Sequence, residues 1–350
     1  MALHAYTEKL AAGEDLSPTE AAKAAGLLAE EGLDPEAKKA LLIALSKKGE
    51  TVEEVTAFAQ TFRGLARDPG LDSWRERAID IVGTGGTGFG GYNVSSVAAL
   101  ITAAAGVPVL KHGNRAITSR SGSADFLGAL GIPMLTEPDD LRASVEALNF
   151  CFFFAPSFHP AFKSIMPVRK ALAEEGRRTI FNILGPLINP ARPAHQLLGV
   201  FHPQWVGPLG DALTALGLRA GVAVSSVLPG GKCVDEFTTA GRNEIRGIGH
   251  LAAQPPSGEL TDYGLLCCPE SDLAGGDAEE NLALFERLCT GQAPRGLEDT
   301  ICLNAGVALY IAGNTTTAQA GIDRAREILR GPALADWIAR ARAHFQPSAS

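Results

Sequence analysis

Residues 111–125, Lys-His-Gly-Asn-Arg-Ala-Ile-Thr-Ser-Arg-Ser-Gly-Ser-Ala-Asp, crowd cations, an imidazole, an amide, hydroxyls and two glycines into one stretch. The stretch follows the apolar segment 107–110 and precedes the helix-like 126–130. A polar loop between a strand and a helix is where an α/β protein builds an anion site. Hydroxyls, amide and free backbone N–H groups can hold the oxygens of a sugar phosphate, while Lys111 and Arg115 supply charge. Ser/Gly-rich loops also serve as ordinary turns, but a second loop stands close before this one.

That loop is Gly83-Thr84-Gly85-Gly86-Thr87-Gly88-Phe89-Gly90-Gly91. It follows a short apolar strand with one acid, Ala78-Ile79-Asp80-Ile81-Val82, and leads through Tyr92-Asn93-Val94-Ser95-Ser96 into the apolar run 97–105. The pattern reads strand, phosphate loop, helix. Glycine lets the backbone approach a phosphate and adopt positive φ. Asn93 or Ser95 can cap the helix, whose N-terminus attracts anions. No Gly-Lys-Ser/Thr closes the loop, so it is not a Walker A motif, and no acid stands about 20 residues on to hold a ribose.

A third constellation is Lys232-Cys233-Val234-Asp235-Glu236-Phe237 after the turn Pro229-Gly230-Gly231. Adjacent carboxylates can hold Mg²⁺, a hard cation that binds through one or two carboxylates plus substrate phosphate. A solvated acidic turn would read the same way.

These blocks, in this order, resemble the anthranilate phosphoribosyltransferase family. The resemblance rests on the loops at 83–96 and 111–115, Ser121-Gly122-Ser123-Ala124-Asp125, Phe154-Ala155-Pro156, His159-Pro160-Ala161, Pro167-Val168-Arg169, and the run 178–190, Arg-Thr-Ile-Phe-Asn-Ile-Leu-Gly-Pro-Leu-Ile-Asn-Pro. It spans about 80–236. It implies transfer of the phosphoribosyl group of phosphoribosyl pyrophosphate to the amine of anthranilate, releasing pyrophosphate. On this resemblance Gly83, Thr84, Gly85, Gly86, Thr87, Gly88, Asn93, Ser95, Ser96 and Lys111 hold pyrophosphate and ribose. Ser119, Ser121, Gly122 and Ser123 close around the 5-phosphate or the pyrophosphate. Asp235, Glu236 and the Ser95 hydroxyl hold two Mg²⁺ ions. Arg169, whose guanidinium fork suits a carboxylate, takes anthranilate, accompanied by Asn114 and Gly83, with His112, His159 and Pro186 shaping the channel. For His159, which starts a helix-like stretch, a simple capping role is the competing reading. The electrostatic and positioning work falls to Lys111, Asp235 and Glu236.

The chain departs from the family pattern twice. The first loop usually reads Gly-Thr-Gly-Gly-Asp-Gly, and here the fifth position is Thr87, which keeps an oxygen and loses a charge. The usual His-Gly-x-Gly-Leu lead-in to Asp235 is replaced by residues 229–234, and Lys232 adds a cation near the acidic pair. Both put efficiency or acceptor identity in question. Two other readings stay open: a related enzyme such as a pyrimidine nucleoside phosphorylase, which would not need the Asp235–Glu236 metal pair, and a non-enzymatic nucleic-acid-binding paralogue.

The elements that must position these residues follow from periodicity. Apolar runs at 78–82, 107–111, 150–154, 196–200 and 220–227 read as strands, alternating with helices at 94–105, 122–130, 138–148, 160–174 and 203–216 and several after 278. Alternation predicts an α/β fold with a largely parallel central sheet flanked by helices. Before it lies a small all-helical unit. Ser17-Pro18-Thr19-Glu20 is a capping box with proline at N1, Asp34-Pro35 and Thr51-Val52-Glu53-Glu54 start two more helices, and Val55, Phe58, Ala59 and Phe62 form a helical stripe. The expected division is a helical domain at 1–73, joined by part of about 160–190, and a phosphoribosyl-binding α/β domain at 76–350. The resemblance adds a homodimer formed through the helical unit.

The 350 residues can bury a large core, and 46% hydrophobic with 20% charged residues excludes general disorder. A net charge of −8 argues against nucleic-acid and anionic-lipid partners. The first ten residues carry no apolar signal-like run, and 97–110 is too short to span a bilayer. A cytoplasmic enzyme is expected, with its six cysteines reduced.

Overall fold

The computed structural model describes residues 2–115 and 120–346. Four helices open the chain: α1 (Ala2–Ala11), α2 (Pro18–Ala29), α3 (Pro35–Lys48) and α4 (Val52–Gly64). Their starts are written in the sequence. Ser17 and Glu20 exchange the two bonds of a capping box, as do Thr51 and Glu54, and Asp34 caps α3. Val55, Phe58, Ala59 and Phe62 are all buried. They share one apolar cluster with Ile165, Val168 and Leu172, with Phe181 and Leu184, and with Leu198, Leu209 and Leu213 on the sheet side. The helices therefore rest on the sheet through a continuous core.

The sheet comprises β1 (Ile79–Gly83), β2 (Val109–Gly113), β3 (Phe150–Phe154), β4 (His195–Gly199), β5 (Ala220–Val227), β6 (Cys233–Val234) and β7 (Arg242–Gly249). Its order is β3-β2-β1-β4-β5-β6, with β7 also paired to β5. The pairs among β1 to β5 are parallel, while β6 and β7 run antiparallel to β5. The chain winds outward from β1 to β3 and returns to the other side of β1 as β4. The strand order reverses there, and a doubly wound sheet opens its binding crevice at such a point, beyond the carboxyl ends of the strands. Gly83 and Gly199 are neighbours at that edge.

Three expectations need correction. β2 runs to Gly113, two residues beyond the predicted end, so His112 joins Lys111 in the strand. Its register on β3, Lys111 against Phe152 and His112 against Phe153, buries both side chains. The single helix expected at 160–174 is a 3₁₀ turn, Pro160–Ser164, followed by a helix at Met166–Glu174. Pro167 lacks an N–H and fits only a first turn, so the helix restarts there. β7 carries no alternating apolar pattern and went unpredicted; eight-residue pairing with β5 makes it a strand.

Behind the sheet, α5 (Val94–Ala104) packs on the almost wholly buried helix Arg295–Ile311. Two shorter helices follow β2: α6 (Ser123–Ala129) and α7 (Pro138–Leu148). Trp337, fully buried, donates its indole N–H to the Leu148 carbonyl at 2.7 Å. The six cysteines are free thiols. No helix among the described residues is long and apolar enough to cross a membrane.

Candidate functional site

β1 delivers Gly83 to the crevice, and the glycine loop leaves from there. Thr84 donates its N–H to the Gly199 carbonyl at 2.9 Å, and its hydroxyl accepts the Phe201 N–H at 2.9 Å. The Gly85 N–H donates to Asp235 Oδ2 at 2.7 Å. Gly85, Gly86, Gly88 and Gly90 all sit at left-handed φ, between 66° and 76°, which explains their residue type. A Cβ on Gly83 would collide with the Asp235 carboxylate, and one on Gly199 with the Asp235 carbonyl. Two glycines at the ends of adjacent strands thus leave room for residues 235 and 236 to cross the crevice.

Asp235 and Glu236 meet a buried cation and a helix start. Lys111, 1% exposed, donates to the Ile81 carbonyl, and its Nζ lies 3.4 Å from the Ser95 hydroxyl. Burial pulls Lys111 down to about 8, while Asp80 and Glu236 pull it back up. Burial raises the Glu236 carboxyl well above the usual carboxylate range, and Asp235 beside it raises it further; Lys111 and the Ser95 N–H oppose this. Burial also raises Asp235, against the Gly85 N–H. Two adjacent, partly buried carboxylates repel each other, and a divalent cation relieves that repulsion. No group of three or more His, Cys, Asp or Glu side chains among the described residues is placed to hold a metal ion. The donor set is thus a carboxylate pair and a hydroxyl, which fits an oxygen-loving cation that shares substrate phosphates and does not fit zinc. Lys232, expected to add its charge here, is turned to the surface and paired with Glu270 at 2.7 Å.

Asn93 and Ser95 were candidate helix caps. Asn93 occupies the N-cap position of α5 without a capping bond. Its amide instead donates to the Ser121 carbonyl at 3.3 Å, and its Oδ1 accepts from the Ser121 hydroxyl at 3.3 Å and from Asn281 Nδ2 at 2.8 Å. Asn93 so ties the first loop to the second. Gly122 donates its N–H to Asp125 at 3.0 Å, opening α6 at Ser123. The Ser96 hydroxyl is buried without a partner. Ser119 lies outside the described residues. Thr87 accepts the Phe89 N–H at 3.3 Å.

A second group lies on the helical side. The His112 and His159 rings pack edge-to-face at 5.2 Å, and His112 Nδ1 stands 3.2 Å from the Gly185 carbonyl, next to Pro186. His112 Nε2 and the His159 ring nitrogens are buried without hydrogen-bond partners. Burial holds His112 down at about 3 and His159 at about 4, so both are neutral near pH 7. His159 stands at the N-cap of the Pro160–Ser164 turn without a side-chain capping bond, so capping does not account for it. Arg169 stacks over Phe162 and Phe181, 5.6 and 5.4 Å from the ring centroids, and burial lowers its pKa. Phe162 also packs on His159 at 5.6 Å, so an aromatic chain links the imidazoles to the guanidinium. Asn114 is exposed, its Oδ1 taking the Arg115 N–H.

Two family models cover the chain: the helical bundle domain of the glycosyl transferase family matches residues 4–66, and its a/b domain matches 75–334. The anthranilate phosphoribosyltransferase of Thermus thermophilus is 42% identical over 323 residues, 92% of this chain and 93% of the relative. This chain belongs to the anthranilate phosphoribosyltransferase family. A crystal structure of the enzyme from Thermus thermophilus superposes with a TM-score of 0.85 at 38% identity, covering 98% of this chain and 99% of the other. The Saccharomyces cerevisiae enzyme, solved in complex with PRPP and Mg, matches with a TM-score of 0.80 over 98% and 97% of the two chains. At 24% identity that likeness is one of fold.

Three further residues of this anthranilate phosphoribosyltransferase family member support the site without a role in the sequence motifs. Asp80, fully buried, accepts the His112 N–H at 3.2 Å and the Asn189 amide at 2.9 Å, and burial raises it to about 6. Asn189 also donates to the Leu110 carbonyl at 2.8 Å, stitching β1, β2 and the loop after Pro186 together. An acid inside an apolar strand was the available signal for Asp80. Asn281, buried and 188 residues from Asn93, had none.

Proposed function

We propose that this protein transfers the phosphoribosyl group of phosphoribosyl pyrophosphate to the amine of anthranilate, the second step from chorismate toward tryptophan. The observation that carries the reading is the Gly85–Asp235 contact, which sets a carboxylate pair against a glycine loop at the crevice of a doubly wound sheet. The reaction breaks the C1–O bond of the donor, leaving pyrophosphate while positive charge develops on the ribose ring. Free N–H groups of the 83–88 loop, Asn93 and the Lys111 ammonium hold pyrophosphate and ribose, with Ser96, Ser119, Ser121, Gly122 and Ser123 around the phosphates. Mg²⁺ bound by Asp235, Glu236 and Ser95 supplies neutralising charge for the leaving group.

Anthranilate offers an uncharged, weakly basic amine, so orientation carries most of the acceptor's part, a contribution of about 7–11 kcal/mol where alignment is good. Arg169 takes the carboxylate, its guanidinium held against the rings of Phe162 and Phe181. His112 and His159, neutral near pH 7, wall the channel with Pro186, Gly83 and Asn114 without competing for that carboxylate. The same reading carries two Mg²⁺ ions per subunit, a cytoplasmic homodimer formed through the helical unit, and division at 1–73, with part of about 160–190, and 76–350.

Loss of anthranilate fluorescence in the presence of phosphoribosyl pyrophosphate, with and without Mg²⁺, tests the proposal. Turnover that needs Mg²⁺ is expected. Mg²⁺-dependent donor binding without turnover would reassign the acceptor, and equal turnover in a chelator would remove the metal role.

A further inference from the structure

Arg178 received no role from the sequence beyond its place in a family block, and the structure makes it a junction between the helical side and the glycine loop. Its carbonyl accepts the hydroxyl of Ser46, on α3, at 2.8 Å. Its side chain reaches the opposite way. Nη2 donates to the Gly86 carbonyl at 2.9 Å, and the guanidinium lies 4.2 Å over the Phe201 ring. Phe201 follows β4, is 8% exposed, and gives its own N–H to Thr84. The contacts close a ring: Phe201 fixes Thr84 through its backbone and supports Arg178 through its face, and Arg178 fixes Gly86, two residues beyond Thr84.

The loop needs such fastening. Gly85, Gly86, Gly88 and Gly90 take left-handed φ, and nothing lies within 4 Å of where their Cβ atoms would be. These four glycines bring no side chain to hold the loop, so its path rests on Phe89, which packs against the core, and on polar pins. Asp235 pins Gly85 from the sheet edge, and Thr87 pins Phe89 from within the loop. The pin at Gly86 comes from the segment joined to α3. A guanidinium can donate in its plane and stack on an aromatic face at once, which an ammonium cannot.

We propose that Arg178 is a positioning residue that clamps the donor loop and makes phosphoribosyl pyrophosphate binding depend on how the helical side is docked. The inference rests on the reading of residues 83–88 as the donor loop. Its test combines hydrogen exchange of the 84–91 amides in the ligand-free protein with steady-state kinetics, on full-length Arg178→Ala, Arg178→Lys and Phe201→Leu. Faster exchange in 84–91 is expected in all three, with KM for phosphoribosyl pyrophosphate raised roughly tenfold in Arg178→Ala, as for loss of one charge-assisted hydrogen bond. In Arg178→Ala, KM for anthranilate and the unfolding temperature should stay close to wild type, which a merely structural role would not predict. The double variant Arg178→Ala/Phe201→Leu should be no worse than Arg178→Ala. Unchanged exchange in Arg178→Ala would overturn the clamp whatever the acceptor is. Faster exchange with an unchanged donor KM would overturn its link to binding. An inactive wild-type protein would sink the proposed function instead, and the exchange comparison would still decide the clamp.

Discussion

The two halves of the site are built on opposite principles. On the sheet side, glycine-loop amides, two carboxylates, a buried ammonium and the Asn93–Ser121–Asn281 network form a polar, hydrogen-bonded cradle. On the helical side, neutral imidazoles with unpaired nitrogens and an arginine laid over phenylalanines form an aromatic wall. Charge suits a donor with three phosphates, because developing charge on a leaving group is best met by fixed charges and dipoles. A flat aromatic acceptor with one carboxylate suits a dry wall with a single cation. Binding in one half should thus respond to electrostatics and in the other to shape.

The sharpest way to break this contrast is to remove charge from the donor half. Asp235→Ala or Glu236→Ala should lower Mg²⁺-dependent turnover by about 10²–10⁴-fold in steady-state assays, while circular dichroism reports an intact fold. Retained activity would show that the carboxylates are an acidic turn and nothing more. Next comes the acceptor half. Arg169→Ala should raise KM for anthranilate by roughly 10- to 100-fold and KM for phosphoribosyl pyrophosphate far less. Equal effects on the two would move Arg169 out of the acceptor wall.

A smaller effect separates the halves by pH. His112 and His159 titrate near 3 and 4 in the folded protein, below the ordinary 6.5. Above pH 6.5 both states leave them neutral. As pH falls from 6.5 toward 4, the unfolded chain binds protons that the folded protein refuses, so stability is lost. Asp80 has the opposite sign: raised to about 6, it favours the folded state at low pH, and that contribution disappears as pH rises through 6. Thermal unfolding from pH 4 to 7 should therefore lose less stability on acidification in His159→Phe, and more in Asp80→Asn. Identical slopes in both variants would mean that neither burial matters to folding.

How much of this was legible in the sequence follows from where each signal resides. The parallel strands, the capping box at Ser17, the helix start at Thr51 and the glycine loop are local patterns, and they appear as read, within a residue or two. Failures arise where distant pairing overrides local pattern. β7 exists because β5 offers it an edge, and β2 extends over His112 and Gly113 because β3 continues beside them and Asp80 on β1 accepts the His112 N–H. The chemistry-bearing residues were visible by type, but their supports were not. Gly199, Asn189 and Asn281 reach the site through residues tens to hundreds of positions away, and no periodicity encodes that.

The finest test concerns Thr87, where this chain departs from its family inside the polar half. Its hydroxyl accepts the Phe89 N–H, a bond an aspartate can also make at the same turn. Thr87→Asp should therefore keep the path of the loop and add a negative charge. Asp235 and Glu236 already repel each other, so the added charge helps only when cations are there to share it. Turnover should rise about two- to fivefold at saturating Mg²⁺, less than ~1 kcal/mol in barrier, and the advantage should shrink or reverse as Mg²⁺ is lowered. A slower enzyme at every Mg²⁺ concentration would mean that the loop has adapted to a neutral residue at 87, with Arg178 and Asp235 pinning it from either side without need of a further charge.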